Sequence, residues 1–125
     1  MIDFSNKSIV KLKGENVASG TQAVNGLLVD EEIVIGSYVS MRDRVVFTNK
    51  RIISCNVQGM TGKKVDYTSI PYSKIQCYSV ETSGVFDRDA ELELWLSSVG
   101  KIKFELSAGA DIKNLCRSIS EFILK

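Results

Sequence analysis

From Glu32 onward the chain alternates apolar and polar residues in short runs separated by polar turns, and a period of two predicts strands. The runs fall at residues 32–40, 45–48, 51–57, 65–70, 75–82, 90–96 and 102–106. Asn49-Lys50 is a two-residue connection, and asparagine suits the left-handed backbone of a type I′ hairpin turn. That turn places Phe47 opposite Ile52. Pro71 cannot donate to a ladder, so it ends a strand, and residues 71–74 predict a short helical turn. Leu92, Leu94 and Leu96 share one face, while Glu91, Glu93 and Trp95 share the other. Ile102, Phe104 and Leu106 repeat the pattern, and a register of Leu94 opposite Ile102 places Glu93 against Lys103.

After residue 106 the period lengthens. Ile112, Leu115, Ile119 and Phe122 recur at spacings of three and four, which predicts an amphipathic helix over 111–125 with Asp111 as its N-cap. Its apolar stripe, widened by Cys116 and Ile123, is expected to close the open end of a curled sheet. In residues 1–30, Val17, Val24, Leu27 and Leu28 recur at near-helical spacing, so one or two short helices ending near Gly26 are expected. Gly20 weakens such a helix by about 1 kcal/mol relative to alanine. The competing reading of this segment is an extended arm ordered by packing on the barrel or on a neighbouring subunit. Trp95, on a polar sheet face, is either covered by these thirty residues or by another subunit, or is an exposed ligand platform; cover is expected, because a bare tryptophan is a sticky patch.

Composition narrows the function classes. The chain has 125 residues, enough for one ordinary domain. Its net charge of +1 gives no long-range attraction to nucleic acid or to an anionic membrane. There is no apolar run of membrane-spanning length and no signal-peptide pattern, so a cytoplasmic location is expected. The sequence contains no histidine, which removes the commonest general base and the Ser-His and Cys-His pairs. Cys55, Cys77 and Cys116 are odd in number and widely spaced, which suits reduced thiols rather than disulfides or a zinc site. No catalytic, cofactor-binding or metal-binding residue is assigned.

Two motifs invite chemistry and fail on spacing. The Gly62-Lys63-Lys64 segment suggests a phosphate loop, but Val57 stands where a Walker glycine is needed, and Lys64 where Ser or Thr is needed. Asp87, Asp89, Glu91 and Glu93 suggest calcium, but Leu92 occupies the position of the required glycine.

The segments FTNKRII (47–53), QGMTGKKVDYTSIPYSKI (58–75), SVETSGVFDRDAELELW (79–95) and KIKFE (101–105), in this order, resemble the small single-domain members of the bacterial pleckstrin-homology (PH-like) family. The resemblance covers residues 28–124. It implies a mainly β (α+β) fold: a strongly bent, seven-stranded antiparallel, partly open barrel over residues 31–125, capped by the C-terminal helix. Residues 1–30 are then a part-helical extension. It further implies a non-catalytic interaction or scaffold domain in a cyclic homo-oligomer, with a pentamer the expected size. Strands of neighbouring protomers would meet at a hydrophilic surface that binds another, unknown protein.

Thr61, Lys63, Lys64, Phe86, Asp87, Arg88 and Asp89 are the polar positions where that surface is expected, unless their glycines and charges only shape turns. The alternative function is binding of an anionic lipid headgroup, with Arg42, Arg44, Lys50 and Arg51 as the phosphate contacts; fold alone does not grant it. A small enzyme or metal protein built on Asp87, Asp89 and Glu91 is the third reading. No cofactor and no nucleic-acid partner is expected.

Overall fold

The structure, a computed structural model, describes residues 9–82, 89–107 and 111–125. Among the described residues eight strands form one sheet: β1 (Ile9–Glu15), β2 (Val34–Val39), β3 (Asp43–Thr48), β4 (Arg51–Gln58), β5 (Lys64–Pro71), β6 (Cys77–Thr82), β7 (Ala90–Leu96) and β8 (Gly100–Leu106). Helix α1 (Val17–Ala23) follows β1, and helix α2 (Ile112–Ile123) follows β8. The order across the sheet is β5-β4-β3-β2-β1-β8-β7-β6, so β5 and β6 are its two edges. Every pairing is antiparallel except β1 with β8.

The seven strands expected from Glu32 onward are present, and the β7–β8 register has Leu94 opposite Ile102 and Glu93 opposite Lys103. An eighth strand precedes them. The segment expected to be helical begins with β1, which inserts between β2 and β8 and joins the two halves of the sheet. Both readings of residues 1–30 therefore hold a part of the truth: an extended segment lies in the barrel wall, then a short helix packs outside it. Asn16 caps α1 by accepting the Ser19 amide at 2.8 Å. Gly20 is the contact point, because a Cβ there would sit 2.5 Å from the Ser37 side chain. The glycine that weakens the helix is what lets it approach β2.

The sheet has an apolar layer on each side. Val45, Phe47, Ile52, Leu92, Leu94, Ile102 and Phe104 fill the barrel. On the outer side Val46, Ile53 and Cys55 join Val34 and Val24 beneath α1. Continuous burial along β3 and β4 follows from having both faces covered. Helix α2 closes the barrel with Ile112, Leu115 and Ile119, capped by Asp111, which accepts the Asn114 amide. Phe122 stacks on Tyr72 with ring centroids 5.6 Å apart, and the Tyr78 hydroxyl donates to Ser120 at 2.7 Å. Tyr72 belongs to a single 3₁₀ turn, Tyr72–Lys74, where a helical turn after Pro71 was expected.

The β3–β4 turn differs from expectation. Phe47 does pair with Ile52. Yet among the described residues only Glu31 is a non-glycine residue with positive φ, so Asn49 does not make a type I′ turn. Its side chain serves elsewhere: Oδ1 accepts the Ile33 amide at 2.9 Å and Nδ2 donates to the Glu31 carbonyl at 3.0 Å. The Thr48 hydroxyl oxygen accepts the amides of Lys50 and Arg51 instead. Side-chain bonds replace the backbone conformation that the Asn-Lys pair suggested.

Candidate interaction surface

The outer face of β2–β5 beyond α1 carries a groove of about 420 Å³, lined by Val39, Met41, Arg42, Arg44, Cys55 and Tyr67 among others. Two of the four basic residues considered for phosphate contacts line it, and both are engaged. Arg42 donates to the carbonyls of Val57 (3.4 Å) and Gly59 (3.2 Å), tying the β2–β3 loop to the end of β4. Arg44 forms a forked pair with Glu15 at 2.7 and 3.3 Å. Glu15 also accepts the Ser37 hydroxyl at 2.6 Å. Burial raises the Glu15 carboxyl, but the bonds from Arg44 and Ser37 outweigh it and hold the group below its ordinary pKa.

Arg51 belongs to a second network. Its guanidinium donates to both Glu32 oxygens at 2.9 and 3.0 Å, to the Leu27 carbonyl at 2.6 Å and to Ser69 at 3.0 Å. The Glu32 side chain is 0% exposed and also accepts the Thr48 hydroxyl at 2.7 Å and the Val29 amide at 3.0 Å. Lys50 is exposed at the adjoining turn. The structure thus puts Arg42 and Arg44 toward one end of the β3–β4 hairpin and Lys50 and Arg51 at the other; even the nearer two, Arg44 (opposite Cys55) and Arg51, are about 13 Å apart along the ladder at 3.3 Å per residue. A phosphate contacting Arg44 and Arg51 together would have to displace Glu15 from one and Glu32 from the other.

Thr61, Lys63 and Lys64 lie exposed at the β4–β5 turn. Gly59 (φ +79°) and Gly62 (φ +69°) set its course in the left-handed region, so the glycines here do shape the turn. Asp89 is exposed just before β7 and lines a small cavity of about 160 Å³ with Glu91, Glu105 and Ser107. Phe86, Asp87 and Arg88 lie outside the described residues. Within one chain, Thr61, Lys63 and Lys64 stand by the β5 edge, whereas Asp89 stands next to the β6 edge.

Several surface features were not singled out from the sequence. Val65 (38% exposed) and Tyr67 (44%) point outward from β5, while Ile70 points into the barrel. Their shared face was legible from alternation; that it looks outward was not, because β5 carries Asp66 and Thr68 on the opposite face. Trp95 is 45% exposed, with the Lys101 ammonium 5.8 Å from its ring centroid, so the described part of residues 1–30 does not cover it. Ser54 Oγ is buried and has no hydrogen-bond partner among the described residues. No group of three or more metal-ligating side chains occurs among the described residues.

Comparison with known proteins gives these arrangements a context. The sequence matches the family described as "Bacterial PH domain" over residues 3–123. It is 48% identical over 71 residues to the uncharacterized protein YjqA of Bacillus subtilis (strain 168), a match spanning 57% of each chain. It is 34% identical over 98 residues to the uncharacterized protein YozO of the same organism, covering 77% of this chain and 82% of that one. Among solved structures it resembles a DUF1696 family protein with a pleckstrin-homology domain from Shewanella loihica PV-4. There the TM-score is 0.78 at 39% identity, covering 91% of this chain and 98% of that one. A pleckstrin homology domain from Shewanella amazonensis SB2B gives a TM-score of 0.66 at 39% identity, covering 96% and 94%.

Proposed function

This chain belongs to the bacterial PH domain family, and on that footing we propose that it is a non-catalytic scaffold. In this reading several copies, five by family resemblance, assemble into a ring and present a polar surface to a protein partner. The observation that carries the reading is the disposition of charge. The arginines that a phosphate site would need are already bonded to carbonyl and carboxylate groups of this chain, whereas Thr61, Lys63 and Lys64 stand exposed at the end of a hairpin beside a strand that has no second neighbour among the described residues. An exposed edge offers backbone donors and acceptors to another chain.

Light scattering coupled to size-exclusion chromatography tests the assembly: a mass several times the 13.8 kDa of one chain is expected at micromolar concentration. A monomer there would remove the ring. The lipid reading is tested by pelleting with vesicles containing phosphatidylserine. No pelleting at low salt is expected, and salt-sensitive pelleting lost on replacing Lys50 would revive it.

A further inference from the structure

Helix α1 is too short to cover the whole outer face of the strands it packs on. Val46 and Ile53 lie beneath it, and its last residue, Ala23, stands on the rim of the groove of about 420 Å³. Two rows of side chains continue past its end. Val39, Arg44, Cys55 and Tyr67 follow one another across β2–β5, and Val57 pairs with Val65 beside them. Cys55 is buried, Val65 and Tyr67 are half exposed, and Met41 stands fully in water at the groove's mouth.

The charges around this apolar floor differ in their partners. Arg44 is matched by Glu15. Asp43 shares the barrel-facing side of β3 with Val45 and Phe47, and its carboxylate accepts the Asn56 side-chain amide. Arg42 is exposed, and no carboxylate among the described residues pairs with it. Both of its hydrogen bonds, to the Val57 and Gly59 carbonyls, leave from Nη1. They hold the guanidinium over the end of β4, and its Nε–Nη2 edge stays unbonded among the described residues. That edge is a fork that grips a carboxylate through both oxygens.

We propose that this groove receives the C-terminus of a partner polypeptide. The terminal carboxylate sits on the Nε–Nη2 edge of Arg42, and an apolar last side chain packs against Val57, Val65, Tyr67 and Met41. This rests on the protein-binding reading above but not on the ring. Three features select this occupant. One guanidinium without a counter-charge matches a singly charged carboxylate, whereas a phosphate would also call on Arg44, which Glu15 already holds. The cation adjoins the apolar floor, so the occupant needs a charge and an apolar group on neighbouring atoms, as the last residue of a peptide has and an aspartate or glutamate side chain lacks. Met41, Val65 and Tyr67 are exposed walls, so the groove covers one side of whatever lies in it. Free small molecules are held in sites that bury most of their surface, while a chain end is also held by the protein behind it.

Fluorescence anisotropy with the full chain tests this. The probes are labelled peptides Gly-Ser-Gly-Ser-Gly-Ser-X, with X each amino acid in turn, made as free acids and as C-terminal amides. Free acids ending in Leu, Ile, Val, Met or Phe are expected to bind about tenfold tighter than their amides, which lack the charge-assisted contact. Arg42→Gln should bring each acid down to the level of its amide. Met41→Glu should do the same by repulsion, and because Met41 is fully exposed it should leave Tm unchanged, which separates lost binding from lost folding. Equal binding of acids and amides, or no binding by any peptide, overturns the proposal and leaves the scaffold reading standing. Arg42-dependent binding to phosphatidylcholine vesicles containing oleic acid, without binding of any peptide, replaces the partner terminus with a lipid carboxylate. A change of mass by light scattering in Met41→Glu assigns the groove to a contact between copies instead.

Discussion

Glu32 offers the sharpest test of how this fold is held. Its carboxylate is buried, and it binds the Arg51 guanidinium through both oxygens together with the Thr48 hydroxyl and the Val29 amide. Replacing it with glutamine keeps an acceptor for only one of the Thr48 hydroxyl and the Val29 amide, which bond different carboxylate oxygens, and leaves the guanidinium without its counter-charge. Removing one partner of a buried pair costs about 3–5 kcal/mol. The Arg51 side chain is 22% exposed, so water recovers part of this, and about 2–3 kcal/mol remains at pH 7. For a domain of this size the loss lowers Tm by about 8–12 °C.

The penalty must also depend on pH. Burial raises the Glu32 carboxyl, but bonds from Arg51, Val29 and Thr48 outweigh it and hold the folded-state pKa below the ordinary value. A group depressed on folding contributes its full stability above its unfolded pKa of about 4.3, and loses it as pH falls through the lower folded value. Glutamine does not titrate. The difference between wild type and Glu32→Gln is therefore full at pH 7 and shrinks by about pH 3. Urea unfolding at fixed protein concentration, followed by far-ultraviolet circular dichroism at both pH values, measures it. A penalty below about 1 kcal/mol at pH 7, or one equal at the two pH values, would refute the account.

Gly20→Ala should destabilise by about 2 kcal/mol, although alanine is the better helix former, because the new methyl collides with Ser37; a urea midpoint shift at constant m-value reads this. Glu31→Gly should stabilise by about 1 kcal/mol, since the exposed Glu31 holds φ at +65°, and thermal melting checks it. Burial pushes the Cys55 thiol up to about 11, so in native protein at pH 8 it should resist a thiol reagent and react only in denaturant. Deleting residues 111–125 uncovers Ile112, Leu115 and Ile119's side of the core, and the remainder should lose cooperative unfolding in urea.

Much of the architecture was readable because its causes are local. The Leu92/Leu94/Leu96 and Ile102/Phe104/Leu106 alternations fix both strands and their register, since a slip by one residue would turn three large side chains into water. The α2 stripe and its Asp111 cap were equally plain. Strand β1 was not. Val10-Lys11-Leu12-Lys13 does alternate, but over too few residues to outweigh the helical spacing from Val17 to Leu28, and what makes it a strand is a slot between β2 and β8 that exists only after folding. The candidate surface shows the same division. Exposure of Thr61, Lys63 and Lys64 follows from their turn. The partners of Arg44 and Arg51 are carboxylates 29 and 19 residues away, Glu15 and Glu32, and no sequence spacing links them.

The parallel pairing of β1 with β8 has a consequence for biogenesis. Ile9 is matched to Phe104 and Leu12 to Leu106, so during synthesis β1 finds one of its two neighbours only after every other described strand has emerged. Until then β1 can be satisfied on its β2 side alone, and the half-built wall shows a hydrogen-bonding rim in the middle of what becomes continuous sheet. Long sequence separation of this kind slows folding and lengthens the interval in which such a rim meets other nascent chains. Production of this domain should therefore respond to translation rate and chaperone supply.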